Sequence, residues 1–278
     1  MTGVVIPKDG NVVLGIYADV AGIDVTTASE EGSVVAIDYD GNAQSGSTYG
    51  TGDSGSTVTS VSVDTAVDGL RVFKSYPTLA KLSIPSNSLV TGTGVDLYRF
   101  SVSANLANPA TGNGVGLDKF VVNVATSTAS AAAGTTTVTN LKVYAYTESG
   151  FSNTVPGFSN GLVVANIVGL VAGDNVATTS SVVQIPAGAT YYFRVVGDVT
   201  FTGGTSPSGS VTTKILGDST YPSLATKMGT VIGISTSNFI WSPIATTSAL
   251  ATTDNDWTNG FGVSGLPSDG MTGTVISK

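Results

Sequence analysis

The chain has no cysteine and no histidine. The first absence excludes disulfide staples, thiol nucleophiles and thiolate metal sites. The second removes Ser-His-Asp and Cys-His catalysis and nearly all the usual zinc and non-haem iron sites. Charge is also scarce. Asp, Glu, Lys and Arg make up 11% of the residues, against about 25% in an ordinary soluble domain. The net charge is −8 and the 11 basic residues are scattered. Nucleic-acid binding needs clustered Lys and Arg, so no nucleic-acid partner is expected. No apolar run reaches the ~18 residues of a membrane-spanning helix, so no transmembrane segment is expected. Met1 to Gly10 shows no basic-then-apolar leader pattern. Helix signals are nearly missing: the Ala-rich stretch Ala125 to Ala133 is broken by Ser and Thr and reads as a strand end plus loop.

What remains is 41% hydrophobic residues, enough for a real core, set among Thr, Ser, Gly and Asn. A low-charge Thr/Ser surface is typical of secreted or cell-surface β proteins. β-branched and alternating runs, bounded by Gly, Pro, Asn and Asp, carry the strand signature. Tyr98 to Ala104 places Tyr98, Phe100, Val102 and Ala104 on one face and Arg99, Ser101 and Ser103 on the other. Strands are expected at Val12–Val20, Ser33–Asp38, Thr57–Val63, Leu70–Lys74, Leu79–Ile84, Asp96–Ala104 and Lys119–Ala125. Others are expected at Thr136–Thr147, Leu162–Val171, Ser180–Ile185, Thr190–Val199, Ser210–Leu216, Thr230–Ser235 and Asn238–Ser242. Many short strands separated by turn residues predict an all-β fold, an Ig-like or Greek-key β-sandwich.

The chain also repeats itself. Ile6 to Val20 lies without a gap over Ile185 to Val199, with Ile, Pro, Asp and Val recurring in place and the apolar positions kept apolar. Gly32-Ser33-Val34-Val35 then lies over Gly209-Ser210-Val211-Thr212. The offset, roughly 180 residues, is the size of a domain rather than of a solenoid repeat. The expected organisation is a partial β repeat plus a Gly/Ser-rich linker over residues 1–56, with Gly41 to Ser56 as the linker, and a complete sandwich module over 57–278.

In the last third stand Asn238-Phe239-Ile240-Trp241-Ser242-Pro243, then Asp256-Trp257-Thr258-Asn259-Gly260-Phe261 and Gly265-Leu266-Pro267. This succession of FIWS, DWTNG and GLP runs resembles that in large repeat-bearing surface proteins of candidate-phylum (Patescibacteria) bacteria. Gly69 to Pro77 and Thr190 to Phe193 look like other parts of the same module. The resemblance covers roughly Val63 to Lys278. It implies a secreted envelope or appendage protein, S-layer-like in role, and supplies no catalytic residues.

Few residues suggest chemistry. Asp38-Tyr39-Asp40-Gly41-Asn42 could offer calcium three oxygens through Asp38, Asp40 and Asn42. Ala43 and Tyr49 stand where an EF-hand needs Gly and an acid, so an Asx-type turn is the simpler reading. Asp254 and Asp256 could hold calcium beside Trp257, or merely make a polar turn. Such calcium would be structural; no other cofactor is expected. Glu30-Glu31 is adjacent rather than opposed across a cleft, as glycoside hydrolysis requires, and reads as a solvated hairpin tip. Trp241, Trp257, Tyr191, Tyr192 and Phe261 could stack on sugar rings, although core burial is their usual fate.

The sequence therefore predicts a non-enzymatic, extracellular or cell-surface protein: a structural subunit of a filament, sheath or S-layer that pairs with itself as a homopolymer. Residues Met1 to Asp40 hold too little apolar surface to fold alone. Val12, Leu14, Ile16 and Tyr17 are the expected assembly residues, offered as a strand to a neighbour. The alternative is an adhesion module that binds a surface glycan.

Overall fold

The computed structural model describes residues 4–19, 32, 34–37, 49–59, 69–106, 113–128, 134–202, 208–221, 236–244 and 257–278. The chain is an all-β sandwich, and apart from one 3-10 turn at Ser159–Gly161 the regular elements are strands. These are β1 (Val34–Val35), β2 (Tyr49–Thr51), β3 (Thr57–Thr59), β4 (Leu70–Arg71) and β5 (Ser75–Leu82). Next come β6 (Gly92–Leu106), β7 (Gly114–Thr128), β8 (Thr135–Tyr146), β9 (Leu162–Leu170) and β10 (Gly173–Pro186). The last are β11 (Thr190–Thr202), β12 (Gly209–Ile215), β13 (Phe239–Ser242), β14 (Thr258–Asn259) and β15 (Thr274–Ser277). Among the described residues no helix is long and apolar enough to cross a membrane.

One layer is a five-stranded antiparallel sheet in the order β5-β6-β11-β8-β9. The other is centred on β7, which takes β10 along one edge and β13 and β12 in succession along the other; β14 and β15 extend it. The inner faces meet through aromatic rings. Phe100 and Phe193, cross-strand neighbours on β6 and β11, stack with centroids 4.9 Å apart. Phe120 of β7 meets both edge-on from the opposite sheet, at 5.7 and 6.2 Å. Edge-to-face geometry sets the positive ring edge against the negative face, which adds to the area the rings bury.

β7 is covered on both sides. Its first nine residues, Gly114 to Val122, are all buried. Val115, Leu117, Phe120 and Val122 belong to the main core. A second small cluster of Ile240, Ile244 and Trp257, with Val182 packed against it, forms apart from that core. This explains why the first nine residues of β7 are buried without alternation.

Several expectations shift. The strand expected at Leu70–Lys74 is cut to β4, Leu70–Arg71. The strand expected at Leu79–Ile84 instead begins at Ser75, runs through Pro77 and ends at Leu82 as β5. Proline lacks an N–H to donate, and β5 is tolerant of that because it is an edge strand. β6 and β10 start earlier than expected, at Gly92 and Gly173. Part of the expected Gly/Ser linker is a hairpin: β2 pairs with β3, and the turn closes with Gly52 N–H donating to Ser56 O at 2.8 Å. Of the strand expected at Val12–Val20, residues 12–19 enter no strand pairing among the described residues. Thr230–Ser235 lies outside the described residues.

β7 also buries two adjacent charges, Asp118 and Lys119. Burial pushes the Asp118 carboxyl above its ordinary pKa, and Lys119 offsets this only in part. The folded state then holds a proton that the unfolded state has released, so this group's contribution falls as pH rises through its raised pKa. Asp118→Asn should therefore raise the melting temperature at pH 7. The gain should vanish in acid, where wild type is protonated in both states. Thermal melts of both chains across that pH range provide the check.

Candidate functional site

A concave surface lies where the segment before β5 meets the C-terminal third. Two stretches, 69–77 and 258–264, line a cavity of about 600 Å³ together with Tyr221 and Trp241. Among the described residues no carboxylate lines it. That volume lies within the ~300–1,000 Å³ typical of ligand sites.

Its frame is polar. The buried Asp218 carboxylate accepts three backbone N–H bonds, from Asn238 (2.7 Å), Phe239 (3.1 Å) and Gly260 (2.9 Å). Asn238 Nδ2 donates to Gly217 O at 2.6 Å, and Asn259 Nδ2 to Thr220 O at 2.8 Å. Trp241 Nε1 donates to Asn259 O at 2.8 Å. The FIWS and TNG runs are thus joined through one carboxylate and two asparagine side chains. β13 lies against β7, with Phe239 opposite Phe120, which fixes Trp241 at the cavity wall.

The GLP run supports the far rim. Gly265 has φ +80°, and a Cβ there would fall on the Leu79 carbonyl oxygen. Only glycine allows the neighbouring Ser264 O to accept from Leu79 N–H at 2.9 Å and bind the rim to β5. On the near side, the Phe73 ring packs on Trp241 at 5.0 Å. The Arg71 guanidinium lies 3.3 Å above the Tyr221 ring and donates to Gly32 O at 2.8 Å. Leu70, Tyr76 and Phe261 stay exposed at the mouth, at 76%, 40% and 47%.

Of the candidate metal ligands, Asp38, Asp40, Asn42, Asp254 and Asp256 all lie outside the described residues, as do Glu30 and Glu31. Among the described residues no cluster of three or more His, Cys, Asp or Glu could hold a metal ion. The five aromatics do not form a sugar platform: Trp241, Trp257 and Tyr191 are buried, Tyr192 is half-buried and only Phe261 is exposed. Val12, Leu14, Ile16 and Tyr17 are exposed, Tyr17 by 94%. The sequence reading missed Arg71, Tyr76, Tyr221 and Asp218 as parts of one site. Arg71 and Tyr76 do fall within the Gly69–Pro77 run.

No protein-family model matches the chain, and no curated protein matches it.

Replacing Asp218 with Ala would leave the buried N–H groups of Phe239 and Gly260 unpaired, and the half-buried one of Asn238 without its acceptor. At about 1–3 kcal/mol for each buried group, Asp218→Ala should cost at least about 2 kcal/mol in urea unfolding. Asp218→Asn retains an accepting oxygen and should cost less.

Proposed function

We propose that this protein is a structural unit of an extracellular or cell-surface assembly, joined to other copies of itself by β pairing through the segment Val4–Asp19. The observation that carries the reading is that this segment resembles β11 but has no strand partner among the described residues. In the sandwich, Ala189 N–H donates to Pro186 O at 2.9 Å, and Gly188 takes φ +74°. At the start of the chain Gly10 N–H donates to Pro7 O at 3.0 Å, and Asp9 takes φ +58°. The same turn is thus made twice, by residues that align. After the second turn the chain enters β11, held between β6 and β8. After the first, Asn11 to Asp19 are exposed and enter no strand pairing among the described residues.

Asp198 adds support. Its carboxylate accepts from Gly94 N–H at 2.9 Å and from Asn140 Nδ2 at 2.7 Å, linking β11 to both neighbours. The Asn140 and Gly94 hydrogen bonds hold its carboxyl below the usual range. Asp19 is its counterpart in the aligned segment. Further along, β1 pairs with β4 antiparallel much as β12 pairs with β15, one residue out of register. Gly69-Leu70-Arg71-Val72-Phe73-Lys74 also lies over Gly273-Thr274-Val275-Ile276-Ser277-Lys278.

A strand-like apolar segment in water is a template for another chain. A contact between different surfaces of identical copies propagates rather than closing on itself. The low charge suits close packing of copies, and the Thr/Ser-rich composition suits a surface location.

Removing residues 1–55 should leave a folded sandwich that stays monomeric where the whole chain forms filaments or sheets in negative-stain electron microscopy. A truncated chain that still assembles would defeat the proposal.

A further inference from the structure

The donor reading leaves open where a neighbouring copy would receive the segment. We infer that the acceptor is the groove between residues 69–77 and 258–264 of a second copy, which takes the Val12–Ile16 stretch. This rests on the proposal above and adds the site to it.

Three observations favour this occupant. First, donor and groove are both unsatisfied on the same chain. Val12, Leu14 and Ile16 are exposed, and in an extended chain they share one face. From Val12 to Ile16 that face spans roughly 13 Å. The groove mouth carries the exposed side chains of Leu70, Tyr76 and Phe261. Exposed apolar patches of this kind mark interaction sites.

Second, charge is complementary. Arg71 has its Tyr221 and Gly32 contacts but forms no ion pair among the described residues. The donor segment brings Asp9 and Asp19 at its two ends.

Third, the groove has hydrogen-bonding capacity to spare. The hydroxyls of Tyr221 and Thr258 are shielded from water and have no hydrogen-bond partner among the described residues, although both residues line the cavity. An incoming main chain that reached them would recover the cost of leaving them unpaired. Among the described strands β4 pairs with β1 alone, so a strand laid in the groove also finds backbone to pair with nearby.

The test mixes two full-length variants in sedimentation velocity. Leu14→Asp spoils the donor; Phe261→Lys spoils the groove at an exposed position that should not disturb folding, and Leu70→Lys is a second such variant. Wild type should form species that grow with concentration. Each variant alone should be monomeric, or need at least tenfold higher concentration. Leu14→Asp mixed with Phe261→Lys should yield a 1:1 dimer and nothing larger, because one intact donor meets one intact groove. If both groove variants assemble like wild type while Leu14→Asp does not, the donor reading survives and the groove is overturned as acceptor. If Leu14→Asp assembles and the groove variants do not, another part of the neighbour fills the groove and the inference fails. A mixture that stays monomeric overturns it too. A monomeric wild type defeats both readings. A wild type whose Trp241 fluorescence shifts with a soluble oligosaccharide, without assembly, would assign the groove to sugar instead.

Discussion

The buried Asp218 carboxylate pins the start of β13 and the backbone just after β14 to one point. Phe239 to Ser242 and Thr258–Asn259 are short strands with little ladder of their own. Three backbone N–H groups converge on this one side chain, and charge-assisted bonds of that sort are about twice as strong as neutral ones. With these elements pinned together, Trp241 can face Phe73 and the groove acquires a back wall. The same carboxylate keeps Phe239 opposite Phe120 on β7, which ties the groove to the main core. A contact at the groove therefore bears on a rigid support rather than on a loose loop.

The two layers tolerate a chain without disulfides because the aromatic contact between them is central and complete. Phe100, Phe120 and Phe193 are fully buried, and removing one such ring from a core costs about 3–5 kcal/mol. Peripheral ties then hold the last residues in place. Tyr98 Oη donates to Thr272 O at 3.0 Å, and Lys81 Nζ to Gly273 O at 2.6 Å. Burial raises the Tyr98 phenol well above its ordinary pKa, so that hydroxyl remains a donor.

Much of the sandwich was legible because strand side chains alternate with period two. Tyr98 to Ala104 and Leu141 to Tyr146 alternate clearly, and both are strands. The eye failed where a local rule met a tertiary exception. Pro77 fell outside the expected strand Leu79–Ile84, yet it sits on an edge, where its missing N–H matters less. Gly92 to Gly94 fell outside the expected strand Asp96–Ala104, although Asp198 from β11 accepts the Gly94 N–H and draws the stretch into β6. The groove was less legible still. Arg71, Tyr221 and Trp241 are far apart in sequence, and no spacing rule connects them. Asp218 is a lone acid in a loop, and only three N–H vectors meeting in space give it away. The Pro7 and Pro186 turns were different: their likeness was visible as letters before it was visible as geometry.

β15 has a mechanical consequence. It is held on two sides at once. It pairs with β12 on one side, and on the other Ser277 N–H donates to Asn87 O while Leu89 N–H donates to Ser277 O. Lys278 N–H adds a bond to Gly209 O at 2.9 Å. A tensile load applied along β15 through Lys278 would shear these bonds together instead of peeling them one by one. Resistance to such a pull is set by the unfolding rate rather than by equilibrium stability. Slip of β15 would therefore need several of these bonds to break at the same moment.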